Sequence, residues 1–177
     1  GATLAAAGAA SRATRKWLPA AAALGGLMTA FVYAQAIAAP IPLPARRDPT
    51  ALQLAGWSHL ATGVARAARA DNARFVTGSS YAITAELAYA LPPDITVIGV
   101  GERWRYFNLP GLMPSADRTG LLVEPQGRKP LTDEGFGPAT PIGSIARQRD
   151  GRTIRVYDLY RIGLKSSAPV AIVKDAR

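Results

Sequence analysis

The chain contains no cysteine and a single histidine, His59. Without cysteine there are no disulfide bonds and no thiolate metal ligands. The neighbours of His59 at helical ligand spacing include no carboxylate, since they are Ala55, Gly56, Thr62 and Gly63. A zinc site, a Ser-His-Asp triad and a Cys-His pair are therefore disfavoured. We expect no metal site, and we expect His59 on a helix surface or at an interface.

Acidic residues are missing from the first 45 positions, where the only charges are Arg12, Arg15 and Lys16. Part of the net charge of +9 therefore belongs to this segment. The other 18 of the 21 basic residues are well mixed with the 12 acidic residues, without a long basic run. Nucleic-acid-binding proteins instead concentrate their basic residues on one face or stripe. We expect no nucleic-acid partner.

No charged residue lies between Trp17 and Ala45, and Gln35 is the only strongly polar side chain from Trp17 to Ala39. About 20 apolar residues in a helix cross a hydrocarbon core of about 30 Å. The pattern predicts a transmembrane helix over residues 17–40, with membrane lipid as a partner and Trp17 at the interface. A secretory signal peptide is the alternative, but its apolar centre usually spans only about 7–15 residues.

The flanks of this stretch suggest an orientation. Residues 1–16 are interpreted as the tail of a preceding membrane helix followed by a basic cytoplasmic loop. Residues 48–177 would then form a domain on the extracytoplasmic, or periplasmic, side of the cytoplasmic membrane. The Pro-rich segment 41–47 is expected to be a stiff linker. Its Arg46 and Arg47 are expected at the membrane interface, where attraction to lipid headgroups is the simpler role.

The remaining sequence predicts an α/β fold. Asp48-Pro49-Thr50 is a helix start, followed by one amphipathic helix of about 18 residues that ends near Asp71. We expect this helix to pack on a sheet rather than to lie on lipid. Its apolar face is predicted to contain Leu54, Trp57, Leu60, Ala61, Val64 and Ala68.

Two short apolar runs flank a second predicted helix. A strand at 75–77, a helix from Tyr81 to Leu91 and a strand at 95–98 form a βαβ unit, so the strands should be parallel. A third strand is expected at 121–123 and a short one at 170–173. Asp150-Gly151 is a two-residue hairpin signal between strands at 142–149 and 152–161. Together these elements predict a mixed sheet whose hairpin forms an antiparallel edge.

Ligands in such sheets bind beyond the carboxyl ends of the strands. The turn 77–80 lacks the glycines of a phosphate-binding loop, so a plain strand–helix turn is favoured. Residues 102–118 combine arginine with aromatic rings, which bind phosphate and stack on sugars, or which simply close over the sheet edge. The candidate substrate-binding residues are Tyr81, Arg103, Arg105 and Tyr106. The acids Glu86, Glu102, Asp117 and Glu124 show no spacing that indicates an acid–base pair.

Three stretches together resemble a known family. They are Asp48-Pro49-Thr50 with Leu54, Gly56 and Trp57; Tyr81 with residues 85–89 and Leu91-Pro92; and residues 142–145 with Gly151-Arg152 and Tyr157 to Tyr160. Their order resembles the carboxy-terminal part of bacterial membrane glycosyltransferases, the family of dolichyl-phosphate-mannose protein mannosyltransferases and aminoarabinose transferases. One departure is that residues 105–110 lack the acid and the tryptophan of a run that is common in that family.

The resemblance implies transfer of a sugar from a polyprenyl-phosphate carrier to an acceptor outside the cytoplasmic membrane. Its general base would be an Asp in an early extracytoplasmic loop that is not in this chain, so no catalytic residue and no cofactor are assigned here. The partners implied are the lipid-linked sugar, the acceptor and upstream membrane helices of the same protein. The alternative is a single-span anchored extracytoplasmic binding module without enzymatic activity.

Overall fold

The computed structural model describes residues 17–38, 40–41, 48–110, 119–130, 136–164 and 170–176. The predictions for residues 1–16 and 42–47, including Arg46 and Arg47, lie outside the described residues, as does Asp117. The chain divides into two compact units, residues 1–53 and 54–177, and each is described by itself.

The first unit contains helix α1, Leu18–Ala38, whose 21 residues are long and apolar enough to cross a membrane. Nearly all of its side chains are exposed, and Trp17 immediately before it is 74% exposed. Gln35 is the exception, at 5% exposure. Its amide donates to the Ile41 carbonyl oxygen at 2.8 Å and accepts from the Ile41 backbone N–H at 3.2 Å.

Asp48 begins the short helix α2, Pro49–Leu54, as the sequence predicts. Its Oδ1 accepts a hydrogen bond from the backbone N–H of Ala51 at 3.0 Å, which satisfies a donor that the helix itself leaves free. The prediction of one continuous helix from here to Asp71 is wrong, however. α2 ends at Leu54, and helix α3 runs from Trp57 to Ala70.

The break lies at Gly56, which has a left-handed backbone with φ of 78°. A Cβ added to Gly56 would lie 2.5 Å from the Gln148 carbonyl oxygen. Only glycine combines this φ with so close an approach. Leu54 is consequently 66% exposed and does not share the apolar face. Leu60, Ala61, Val64 and Ala68 of α3 are buried as predicted, and His59 is exposed on the helix surface.

The second unit is built on a mixed sheet, as predicted, and the described strands number six. They are β1 Phe75–Gly78, β2 Val97–Val100, β3 Thr119–Pro125, β4 Thr140–Arg149, β5 Arg152–Gly163 and β6 Val170–Lys174. Their order is β4-β5-β3-β1-β2-β6. The central strands β3, β1 and β2 are parallel, and both edges are antiparallel. The α/β class, the parallel βαβ unit and the edge hairpin are confirmed.

Local signals explain several of these elements. Helix α4, Tyr81–Ala90, begins after the capping residue Ser80, whose side chain accepts from the Ile83 N–H. Pro92 and Pro93 follow its end. In the hairpin turn, Asp150 and Gly151 have φ values of 50° and 75°, the positive values that a type I′ turn needs.

Apolar side chains cover both faces of the sheet. On one face, α3 and α4 pack against a core that contains Val76, Val97, Leu121 and Leu159. On the opposite face a second core contains Phe75, Ile98, Leu122, Phe136, Ile162, Leu164 and Val170. Alternate residues of β1, β2 and β3 therefore serve different cores, which is why these strands are continuous apolar runs.

Candidate functional site

The carboxyl ends of β1, β2 and β3 lie at one edge of the sheet because these strands are parallel. In open α/β sheets this edge is where ligands bind. The turn after β1 leads through Ser79 and Ser80 into α4. The segment after β2 forms a 3₁₀ helix, Glu102–Tyr106. β3 ends with Glu124 and Pro125.

Three rings meet at this edge, and we call Tyr81, Trp104 and Phe107 the aromatic cluster. The Tyr81 ring centroid lies 4.7 Å from that of Trp104 and 5.9 Å from that of Phe107. The planes of Tyr81 and Phe107 are stacked, with an angle of 14° between them. These distances are in the range of favourable aromatic pairs.

Trp104 anchors the aromatic cluster. It is 6% exposed, and its ring lies over Gly99 of β2, where an added Cβ would come within 2.3 Å of the ring. The 3₁₀ helix fixes its position, since Trp104 N–H donates to Gly101 and Phe107 N–H donates to Trp104. Phe107 remains 45% exposed, so one end of the cluster is buried and the other faces solvent.

Arg103 completes this group, with its Cζ 4.4 Å from the Tyr81 ring centroid. The structure therefore brings together two of the predicted substrate-binding residues, Tyr81 and Arg103. Tyr106 is 88% exposed in the same 3₁₀ helix, and the side chain of Arg105 lies outside the described residues. The prediction missed Trp104 and Phe107 as members of the site, although their spacing of three residues was a usable signal for a shared 3₁₀ face.

The turn after β1 is held by internal hydrogen bonds. Thr84 Oγ1 lies 3.1 Å from the Gly78 nitrogen, from which it accepts, and 3.2 Å from the Gly78 oxygen, to which it donates. Ser80 Oγ accepts from the Ile83 N–H at 3.4 Å. These bonds occupy groups that a phosphate-binding loop would present to its ligand, and they favour the interpretation as a strand–helix turn.

A second polar group lies at the ends of β1 and β3. Glu124 is 2% exposed, and its register partner on β5 is Asp158. Ser79 is tied to the same place, because its N–H donates to the Val123 carbonyl oxygen at 3.1 Å. Strand pairing thus brings Asp158, which the spacing of the acids in the sequence did not single out, beside Glu124.

Burial raises the pKa of Glu124 above its ordinary value. The nearby Ser79 hydroxyl and the positive charges of Arg128 and Arg155 act in the opposite direction, whereas Asp158 adds to the rise. Within the described part of the chain, Glu124 Oε2 and Ser79 Oγ are both buried and complete no hydrogen bond.

A buried cation lies on the α3 side of the sheet. Arg147 of β4 is 1% exposed, with its Cζ 4.1 Å from the ring centroid of Trp57 and 5.8 Å from that of Tyr157. Burial lowers the pKa of Arg147 and raises that of Tyr157, and the two groups partly offset each other's shifts. Glu86 is near enough to act electrostatically on both. This arrangement joins α3 to the hairpin and has a structural role.

A surface cavity of about 420 Å³ lies away from these groups, at the amino-terminal ends of β1 and β2. Arg69 and Asp94 form a two-pronged ion pair in its wall, in which Nε donates to Oδ2 at 3.1 Å and Nη2 donates to Oδ1 at 3.0 Å. None of the predicted site residues lines it. Its lining consists of Ala68, Arg69, Asn72, Ala73, Arg74, Asp94, Ile95 and Thr96.

Among the described residues, no group of three or more His, Asp or Glu side chains is placed to hold a metal ion. Comparisons with protein-family models, with curated proteins and with solved structures found no match. The function must therefore be inferred from the fold and from the geometry at the carboxyl ends of the parallel strands.

Proposed function

We propose that this chain is the carboxy-terminal part of an integral-membrane glycosyltransferase that moves a sugar from a polyprenyl-phosphate donor to an acceptor at the outer face of the cytoplasmic membrane. In this proposal the α/β domain binds and orients a substrate and does not carry the catalytic base. The observation that carries the proposal is the aromatic cluster with Arg103 at the carboxyl ends of the parallel strands.

The chemistry of this group suits a glycosyl phosphate or a sugar acceptor. The C–H face of a sugar ring is apolar and stacks on an aromatic face, and Phe107 offers such a face at 45% exposure. Arg103 is exposed, and its guanidinium offers several N–H donors to phosphate oxygens. Its position over Tyr81 restrains it before a ligand arrives, which reduces the entropy lost on binding.

The apolar helix α1 also supports the proposal. A sugar linked to a polyprenyl phosphate stays in the bilayer, because its hydrocarbon chain cannot leave the lipid. A domain that acts on such a substrate gains from attachment to the same membrane. Helix α1 has the length and the composition for that attachment.

The accessory role follows from the side chains of the group. The rings and Arg103 provide stacking, hydrogen bonding and positive charge. None of them is a carboxylate or an imidazole, the side chains that most often act as general bases. The base would then be an Asp elsewhere in the enzyme, as the family resemblance implies.

A transfer assay tests the proposal. The complete enzyme is prepared in membranes, and radiolabelled sugar is followed from polyprenyl phosphate to the acceptor at donor concentrations below KM. We expect Tyr81→Ala and Arg103→Ala each to lower kcat/KM by about tenfold, the loss of about 1.4 kcal/mol of binding.

Two control variants match these changes. Tyr89→Ala removes a tyrosine of α4 that is 90% exposed, and Arg152→Ala removes an exposed arginine of the hairpin. Both should transfer sugar at the parent rate. Parent rates in the Tyr81 and Arg103 variants would refute a role for this group in transfer.

The binding-module alternative also has an observation in its favour, since the aromatic cluster with Arg103 has binding groups and no carboxylate. The mass of the native polypeptide distinguishes the two. A blot of source membranes with an antibody to residues 48–177 should show a band several times larger than 18.6 kDa if the proposal is correct. A band at 18.6 kDa that resists carbonate extraction would favour the anchored module instead.

A further inference from the structure

Ser79 and Glu124 lie where the chain leaves two neighbouring parallel strands in opposite directions. After β1 the chain enters α4, whose Ile83 and Leu87 belong to the core on the α3–α4 face. After β3 it proceeds to Phe136, which is buried in the core on the opposite face. In open α/β sheets, a crevice opens outside the carboxyl ends of two such strands, and ligands bind there.

Two polar atoms at this point have unused hydrogen-bonding capacity. Glu124 Oε2 and Ser79 Oγ are buried, and among the described residues neither has a partner at hydrogen-bond geometry, although the Ser79 hydroxyl is close enough to Glu124 to lower the pKa of that carboxyl group. Leaving a buried polar atom unpaired is costly, and native proteins do so rarely outside functional or hydrated sites. Glu124 is only 2% exposed, so its carboxyl group is not a solvated surface group.

The charges around the pair indicate the class of ligand. Glu124 feels Arg128 and Arg155 as positive neighbours and Asp158 as a negative one. The guanidinium groups of Arg128 and Arg155 would repel a cationic ligand. The carboxyl groups of Glu124 and Asp158 would repel an anionic one. A neutral polar ligand avoids both penalties. An alcohol group suits the pair best, since its O–H donates one hydrogen bond and accepts another.

We propose that the ends of β1 and β3 form a second ligand site, which binds a neutral polyhydroxyl compound of the saccharide class through a hydroxyl that donates to Glu124 and accepts from Ser79. The site is separate from the aromatic cluster and does not depend on the function proposed above. The side chains that border it are Asp158, Gln126 and Arg128; of these, Gln126 and Arg128 are exposed and can move aside for an entering ligand.

Saturation-transfer difference NMR tests the site on the full chain in lipid nanodiscs, which avoids detergents that carry sugars. The probes are the methyl glycosides of glucose, mannose, galactose and arabinose. We expect at least one of them to receive saturation from the protein. Ser79→Ala and Glu124→Gln should each reduce that signal by about fivefold, the loss expected for one hydrogen bond.

Asp175→Asn, at an exposed position beyond β6, and Tyr89→Ala, at a ring that is 90% exposed, should both keep the signal. Circular dichroism confirms that each variant is folded. If none of the four glycosides receives saturation, the proposal is overturned. A buried water would then be the partner of Glu124 Oε2 and Ser79 Oγ. A signal that is lost in Tyr81→Ala but kept in Glu124→Gln would also overturn it, since the sugar would then bind at the aromatic cluster.

Discussion

Gln35 donates a hydrogen bond from its Nε2 to Asp48 Oδ2 over 3.3 Å, and both residues are 5% exposed. The one strongly polar side chain of the apolar helix is therefore joined to the capping residue of the next helix. A polar side chain near a membrane is tolerated when a partner satisfies it. Since the same amide also forms two hydrogen bonds with the Ile41 backbone, Gln35 ties both Ile41 and Asp48 to the end of α1.

Replacement of Gln35 by Leu should loosen the attachment of Ile41 and Asp48 to α1. The change removes the bonds to Ile41 and leaves Asp48 with one partner fewer, which is expected to cost about 1–3 kcal/mol locally. Limited proteolysis of the chain in nanodiscs measures the effect, as faster cleavage beside Ile41 and Asp48. Thr29→Leu, at an exposed position in the same helix, is the control and should leave the cleavage rate unchanged.

The stability of the α/β domain should carry a pH dependence from Glu124. Its pKa in the folded protein is raised above the ordinary value of 4.5, so the folded state holds the proton more tightly. The resulting stabilisation is complete below that ordinary pKa and is lost as the pH rises through the folded pKa. The free energy of unfolding, wild type minus Glu124→Gln, should therefore fall with rising pH and then level off.

Urea titrations of the full chain at a series of pH values measure this difference. The comparison with Glu124→Gln is needed because Asp71 and Asp94 act in the other direction. Hydrogen bonds from Arg161 and Arg69, respectively, lower the pKa of these two carboxyl groups, so their contribution is lost as the pH falls. A difference curve that rises with pH, or stays flat, would contradict the prediction.

Arg147 should matter more for stability than an exposed arginine beside it. Arg147→Ala removes a buried side chain and its contact with the Trp57 ring, and we expect a loss of about 2–4 kcal/mol. Arg147→Met keeps most of the volume and avoids burying a charge, so its cost should be smaller. Arg155→Ala, at the register partner on β5, is the control and should cost less than about 0.5 kcal/mol. Chemical unfolding of the three variants gives the comparison, and equal losses for Arg147→Ala and Arg155→Ala would show that the buried contact adds nothing.

Local signals made much of the fold predictable. The strand–helix–strand unit is continuous in sequence and has a capping serine and two prolines as boundaries. Its parallel pairing followed because a helix between two strands returns the chain to the same end of the sheet. The hairpin followed in the same way from Asp150-Gly151. The break at Gly56 could not be predicted, because its cause is the close approach of the Gln148 carbonyl on a distant strand.

In the candidate site, too, local sequence signals predict some contacts, whereas others depend on residues far apart in the chain. Tyr81 and Arg103 follow adjacent strands of one predicted unit, so their proximity could be inferred from topology. The pairing of Glu124 with Asp158 depends on the register between β3 and β5, which a shift of one residue would abolish. No spacing in the sequence indicates that register, so Glu124 was not distinguished from an ordinary surface charge.

The last described strand has a consequence for how the chain completes its fold. β6 pairs with β2, a strand made about 70 residues earlier, and it covers an edge whose backbone groups would otherwise be open. During synthesis the edge of β2 that pairs with β6 therefore stays unpaired until Val170–Lys174 has left the ribosome. A nascent chain arrested before that point would present an apolar strand edge to its neighbours, and quality control could recognise unfinished copies by that edge.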